Sequence, residues 1–281
     1  MQGGRLATLW RDLGIPADLR LSGEKRFTAQ PDQIDCAEGC KADAVIYAHL
    51  LPDGEDSVLR VCNAFGTTCR FLLLHDAGPG WQLVDYVDSP LEKYAAPTVS
   101  IEASQDRRWL VRRGFGGGGT GVYLAVSDWF EVQCGALHQV LTVPAAGYDV
   151  DARPSRYFST RFRTFRKLGS TESLEFGFVI AFGGYPYDPE LWQEERTVVF
   201  SRSGPNAAFV FDPAQSGISK TIMDKLFAFD SLDENDFVEF AYDRLRAIAL
   251  HPADARRSWL SDYLSQMEAT PKVKALEALL K

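Results

Sequence analysis

Between residues 43 and 212 the apolar positions come in short runs, many alternating with polar residues, and turn residues separate them. That period of two is the signature of strands with one buried face. DAVIYAHLL and VLRVC flank the turn PDGEDS, RFLLLH and WQLVDYVD flank DAGPG, and TVSIEA and RRWLVRR flank SQD. VYLAV and WFEVQC are separated by the pair Ser127-Asp128. RYFSTRFRTF, LEFGFVIAF, RTVVFSR and AAFVFD follow. This makes about a dozen strands, and links this short predict antiparallel pairing rather than crossover connections.

The pattern changes at both ends. Leu6, Leu9, Trp10 and Leu13 have helical spacing, and Gly14 and Pro16 stop the segment. After Pro213, Ser231 and Glu234 stand in capping-box register before FVEFAYDRLRAIAL, which should end before Pro252. A second helix is predicted within ADARRSWLSDYLSQME. A third has Thr270 as N-cap and Pro271 at its first position, with Val273, Leu276, Leu279 and Leu280 on one face. The expected fold is therefore α+β: a predominantly antiparallel β-sheet, a short N-terminal helix and a helical C-terminal region. The polar stretch PAAGYDVDARPS, 144–155, reads as the best boundary. It divides a β-rich N-terminal region, 1–147, from an α+β C-terminal region, 148–281; one continuous domain is the alternative.

Composition adds limits. With 281 residues, 46% hydrophobic and 24% charged, the chain can build a substantial core without metal or disulfide staples. Its net charge of −8 argues against nucleic acid, which needs a basic face to displace counterions. No apolar run approaches the roughly 18 residues of a transmembrane helix. Five cysteines matter more: Cys36, Cys40, Cys62, Cys69 and Cys134. Cys62 and Cys69 sit at the ends of two successive strands, within bridging distance if those ends face each other. Two local disulfides with Cys134 free is one reading; a four-thiolate zinc site and ordinary reduced thiols are the others. The disulfide reading requires an oxidising compartment, so the expected location is extracytoplasmic, periplasmic or secreted from a bacterium-like cell, with cytoplasmic as the alternative.

Gly114 to Gly121 contain six glycines. The string threads onto G-x-G-x-x-G, but a dinucleotide site needs a helix next, and VYLAV reads as strand. No Gly-Lys-Ser/Thr follows for a P-loop, and the lysine and aspartate motifs of a protein kinase do not occur. The run therefore reads as a mobile hairpin tip whose length is free to vary. His49, His75, His138 and His251 show no ligand spacing, no G-x-S-x-G elbow is present, and Asp85 and Asp88 should fall on opposite strand faces. No cofactor or metal is expected. In RYFSTRFRTF, Phe158, Thr160 and Phe162 should face inward, and Arg161 and Arg163 outward.

One loop stands out, FGGYPYDPELW, 182–192. Tyr185, Tyr187 and Trp192 offer apolar faces with polar tips, suited to stacking on a sugar or peptide, and two prolines stiffen the loop. These three are the candidate ligand-binding residues. No complete catalytic constellation is present, so the expected function is a non-catalytic binding or interaction protein with a small-molecule, glycan or protein ligand. The alternative is a hydrolase, glycan-directed, with carboxylates dispersed in sequence. A deep cleft with two convergent carboxylates would favour the hydrolase; an aromatic surface would favour binding.

Overall fold

The computed structural model describes residues 40–52, 55–63, 69–76, 81–89, 97–184, 189–228 and 234–281. The expected N-terminal helix and the Ser231–Glu234 capping box lie outside, or partly outside, these residues. Two antiparallel meanders are present. The first has four strands in sequence order: β1 (Cys40–Tyr47), β2 (Glu55–Asn63), β3 (Cys69–Asp76) and β4 (Trp81–Ser89). The second has eight: β5 (Thr98–Ser104), β6 (Arg107–Gly119), β7 (Val122–Gln133), β8 (Ala136–Asp149), β9 (Arg156–Leu168), β10 (Thr171–Phe182), β11 (Trp192–Ser203) and β12 (Val210–Phe211). Four helices follow: α1 (Lys220–Ala228), α2 (Glu234–Leu250), α3 (Arg257–Ser265) and α4 (Pro271–Leu280). The predominantly antiparallel α+β architecture is thus established.

Two of the expected boundaries differ. Ser127 and Asp128 do not separate two strands but lie inside β7, because both are buried and Asp128 is paired with Arg112 (2.5 Å). The stretch expected as a loop from Pro144 belongs to β8 as far as Asp149. A strand tolerates Pro144 here because the register shifts beside it, between Ala125 and Val126 of the partner strand. β8 runs through residue 147.

The glycine run is a hairpin arm rather than its tip. Thr120 and Gly121 alone make the turn, while Gly117, Gly118 and Gly119 pair with Leu124, Tyr123 and Val122. A Cβ on Gly118 would meet the Val122 carbonyl oxygen at 2.5 Å, at a φ of +152°. Glycine is therefore required for the fit of the ladder, not for looseness. The β7–β8 turn is similarly tight, with Cys134 and Gly135 both at positive φ, the geometry of a two-residue hairpin that follows the sheet twist.

Alternation decides what is buried. Leu174, Phe176, Phe178, Ile180 and Phe182 of β10 are all buried on one face. A bulge opposite Glu175 and Phe176 brings Phe165 of β9 into the same core as Phe162. On that inner face the sheet curls on itself, with Trp109 meeting Phe165 and Trp129 meeting Phe176. Farther along, the helices cover it through Phe237, Leu245, Leu260 and Leu276. The other face of β5–β8 is covered by the first sheet, through Val58, Phe71 and Leu73 against Leu110 and Phe130. Polar ties cross the same junction: the Leu137 amide donates to Asp85 (2.7 Å), and Arg60 donates to the Pro97 carbonyl (3.0 Å). The last helix docks as its pattern predicts. Thr270 caps the Val273 amide, and Val273 and Leu276 are buried within the core shared with α2.

Candidate functional site

The pairing of β8 with β9 is short. It covers only Ala146–Asp149 against Arg156–Ser159, whereas β7 and β8 pair along their whole lengths. Beyond Ala146 the two strands part, and Thr160 spans the gap by donating from its hydroxyl to the Pro144 carbonyl (2.5 Å). Val143 and Ala145 on one side of this split, and Thr160 and Phe162 on the other, line a pocket of about 260 Å³. Its floor is aromatic: Trp129 lies 5.1 Å from Phe162 and 5.3 Å from Phe176, edge to face in both cases. Such an arrangement fixes the rings and presents an apolar base.

The rest of the wall is polar. Alternation along β6 puts Trp109, Val111 and Arg113 on the inner face, and Arg113 pairs across with Ser127, which also lines the pocket. Glu102 of β5 stands on that face opposite Trp109. Burial pushes the Glu102 carboxyl above its ordinary range, and the positive charge of Arg113 partly offsets the shift. Arg161 also borders the pocket, but its side chain starts from the other face. It pairs with Gly177, where an added Cβ would meet Glu195 and Arg163. The outward placement of Arg161 and Arg163 agrees with the alternation of the sequence.

Two carboxylates do converge elsewhere, and they are structural. Arg202 of β11, with no exposed side-chain surface, donates to Glu172 (2.9 Å) and to both oxygens of Glu131 (2.9 and 3.0 Å). The Trp109 indole N–H also donates to Glu131 (2.8 Å), and Arg107 pairs with Glu172 (2.9 Å). Burial pushes Glu172 upward, but Arg202 and Arg107 outweigh it and leave its carboxyl below the ordinary range. These groups tie β7 to β10 and β11 across the curl of the sheet.

Of the three sequence-predicted binding residues, only Trp192 is among the described residues. Tyr185 and Tyr187 lie outside the described residues. Trp192 opens β11 and is half-buried, stacked on Phe237 (5.8 Å, 22°) and tilted against Phe182 (5.3 Å), so its ring joins sheet to helix. Another aromatic row crosses four strands, Phe115, Tyr123, Tyr148 and Tyr157, with centroids 5.9, 5.6 and 6.2 Å apart. These rings stand beside one another across the ladder, the arrangement by which cross-strand pairs stabilise a sheet. Cys134 is exposed in its turn and free, and among the described residues no cluster of His, Cys, Asp and Glu has metal-binding geometry. No described helix is long and apolar enough to cross a membrane.

The pocket residues Glu102, Arg113, Ser127 and Trp129 were not singled out by sequence reasoning. Arg113 carried a signal: it is a charged residue in alternation with Trp109 and Val111. Glu102 carried none, because Ser100 and Glu102 read as an ordinary solvent face. No protein-family model matches the chain, and a search of curated proteins finds no relative of it.

Proposed function

We propose that this chain is a non-catalytic binding protein that takes a small ligand in the pocket between β8 and β9. One observation carries the reading: the pocket combines an aromatic floor with a single carboxylate, Glu102. Hydrolysis of a glycoside ordinarily uses two carboxylates flanking the bond, and the pair that converges here, Glu131 and Glu172, is held on the buried Arg202. A thermal-shift screen of small polar–apolar molecules tests the proposal. Hits should disappear in Ala145→Leu, which fills the pocket. Hits that survive the filling, or turnover of a glycan that Glu102→Gln abolishes, would overturn it.

The oxidising, extracytoplasmic location belongs to the same proposal. It is supported by the register, which sets Cys62 directly opposite Cys69, and by Cys69 itself, which is fully buried and disulfide-bonded. Opposed residues in an antiparallel pair stand about 4.5–5.5 Å apart, within the span of a disulfide. We assign Cys62 as the partner. The bond would fasten the ends of β2 and β3, and peptide mapping without reduction tests it.

A further inference from the structure

Opposite charges that share a face of the large sheet generally close on each other. Arg112 meets Asp128 (2.5 Å), Arg166 meets Glu175 (2.8 Å), Arg163 meets Glu195, and Arg202 meets Glu131 and Glu172. Glu102 and Arg113 are the exception. Both stand on the inner face, both line the pocket, and they feel each other's charge. Yet among the described residues Arg113 has no carboxylate within ion-pair distance, and Glu102 has no cation.

Unlike charges left open at one pocket restrict what can enter: Glu102 and Arg113 stand on its inner wall, and Arg161 borders it from the other face. An anion alone would meet Glu102 as a like charge, and a cation alone would meet Arg113. Either would also leave one pocket charge without a partner as water is displaced. A ligand bearing both charges satisfies both. Its carboxylate suits the planar fork of a guanidinium, which binds such groups through two parallel hydrogen bonds. Its ammonium suits the partly desolvated carboxylate. The remainder of the ligand faces Trp129, Phe162 and Phe176 and must therefore be apolar. A volume of about 260 Å³ limits its size, since pockets for drug-sized ligands measure about 300–1,000 Å³.

Resting on the pocket-binding reading above, we infer that the ligand is a small zwitterion with an apolar body, of the α-amino-acid type. Its carboxylate is held by Arg113, its ammonium by Glu102 and its body by the Trp129–Phe162–Phe176 floor. Ser127, on the same wall as Arg113, offers a hydroxyl beside the carboxylate site.

Isothermal titration calorimetry on the intact chain near neutral pH tests this with three probes: L-phenylalanine, 3-phenylpropionate, which lacks the ammonium, and L-phenylalaninamide, which lacks the carboxylate. The zwitterion should bind at least about tenfold more tightly than either analogue, the loss expected when one charge pair is left open. Glu102→Gln should narrow the gap to 3-phenylpropionate, and Arg113→Met should narrow the gap to the amide. Neither residue is in the core, and thermal melts of both variants confirm folding; the wild-type ranking is decisive by itself. If 3-phenylpropionate binds as tightly as L-phenylalanine, the pocket is an anion site; if the amide does, it is a cation site. Either result overturns the inference and leaves the pocket-binding reading intact. Binding by none of the three also overturns it, while screen hits lost in Ala145→Leu would keep the broader reading.

Discussion

Replacing Arg202 with methionine removes a guanidinium that makes three charge-assisted hydrogen bonds to Glu131 and Glu172, at 2.9–3.0 Å. Both carboxylates are almost completely buried, so neither gains water in exchange. Two negative charges would then face a thioether in the closed part of the sheet. Stranding a buried partner in this way costs about 3–5 kcal/mol. For a chain of this size each kcal/mol lowers Tm by about 2–4 °C, so a fall of roughly 6–20 °C is expected. The pH dependence is a second signature. The Glu172 carboxyl is held below its unfolded range. Its contribution to stability is therefore present above the unfolded value and is lost as pH falls through the folded one. In Arg202→Met the same carboxyl keeps Arg107 but loses its buried cation and rises, so acidification neutralises the charge left without that partner and the deficit relative to wild type shrinks. Adding Glu131→Gln and Glu172→Gln should recover much of the loss at neutral pH. Urea denaturation from neutral pH down to the carboxylate range measures all of this. A deficit under about 1 kcal/mol at neutral pH, or one that does not shrink on acidification, would refute the reasoning.

Leu276→Asp places a charge at a fully buried position of α4 and should cost about 2–4 kcal/mol in chemical denaturation, independent of protein concentration. Gly118→Ala should destabilise by about 1–3 kcal/mol, since it adds both a disfavoured φ and a contact with the Val122 carbonyl, and the same melts measure it. Proteolysis of unreduced, alkylated protein should yield a linked Cys62–Cys69 peptide, with Cys134 alkylated. NMR titration should find the Glu102 carboxyl above its ordinary range, and Arg113→Met should move it higher still, because the mutation removes the one charge that lowers it.

The sheet was legible where alternation was regular. LEFGFVIAF shows β10 almost residue for residue, because every second side chain is large and apolar. The C-terminal helix was legible because Thr270 and Pro271 mark its start chemically. β7 appeared broken because Ser127 and Asp128 look like turn residues; their burial depends on Arg112, a partner one strand away that local pattern does not reveal. β8 was not among the predicted strands at all: Pro144 and Gly147 discourage a strand, and a register shift on the neighbouring strand accommodates the proline. The glycine run showed its hairpin but not its ladder, since only the Val122 carbonyl and the Val126 side chain explain why a Cβ is excluded there. The pocket was least legible, because it is made by strands that stop pairing.

That short ladder between β8 and β9 also sets how the protein will respond to a ligand. The large sheet is two leaves, β5–β8 and β9–β12, stitched by four paired positions. Amides along the seam should exchange with solvent sooner than those of β10, which is paired along its whole length on both sides. A molecule seated at the split touches both leaves and acts as a removable stitch. Its arrival should be felt as slower opening of the seam and a higher melting temperature, by mass action, with little change in the shape of either leaf.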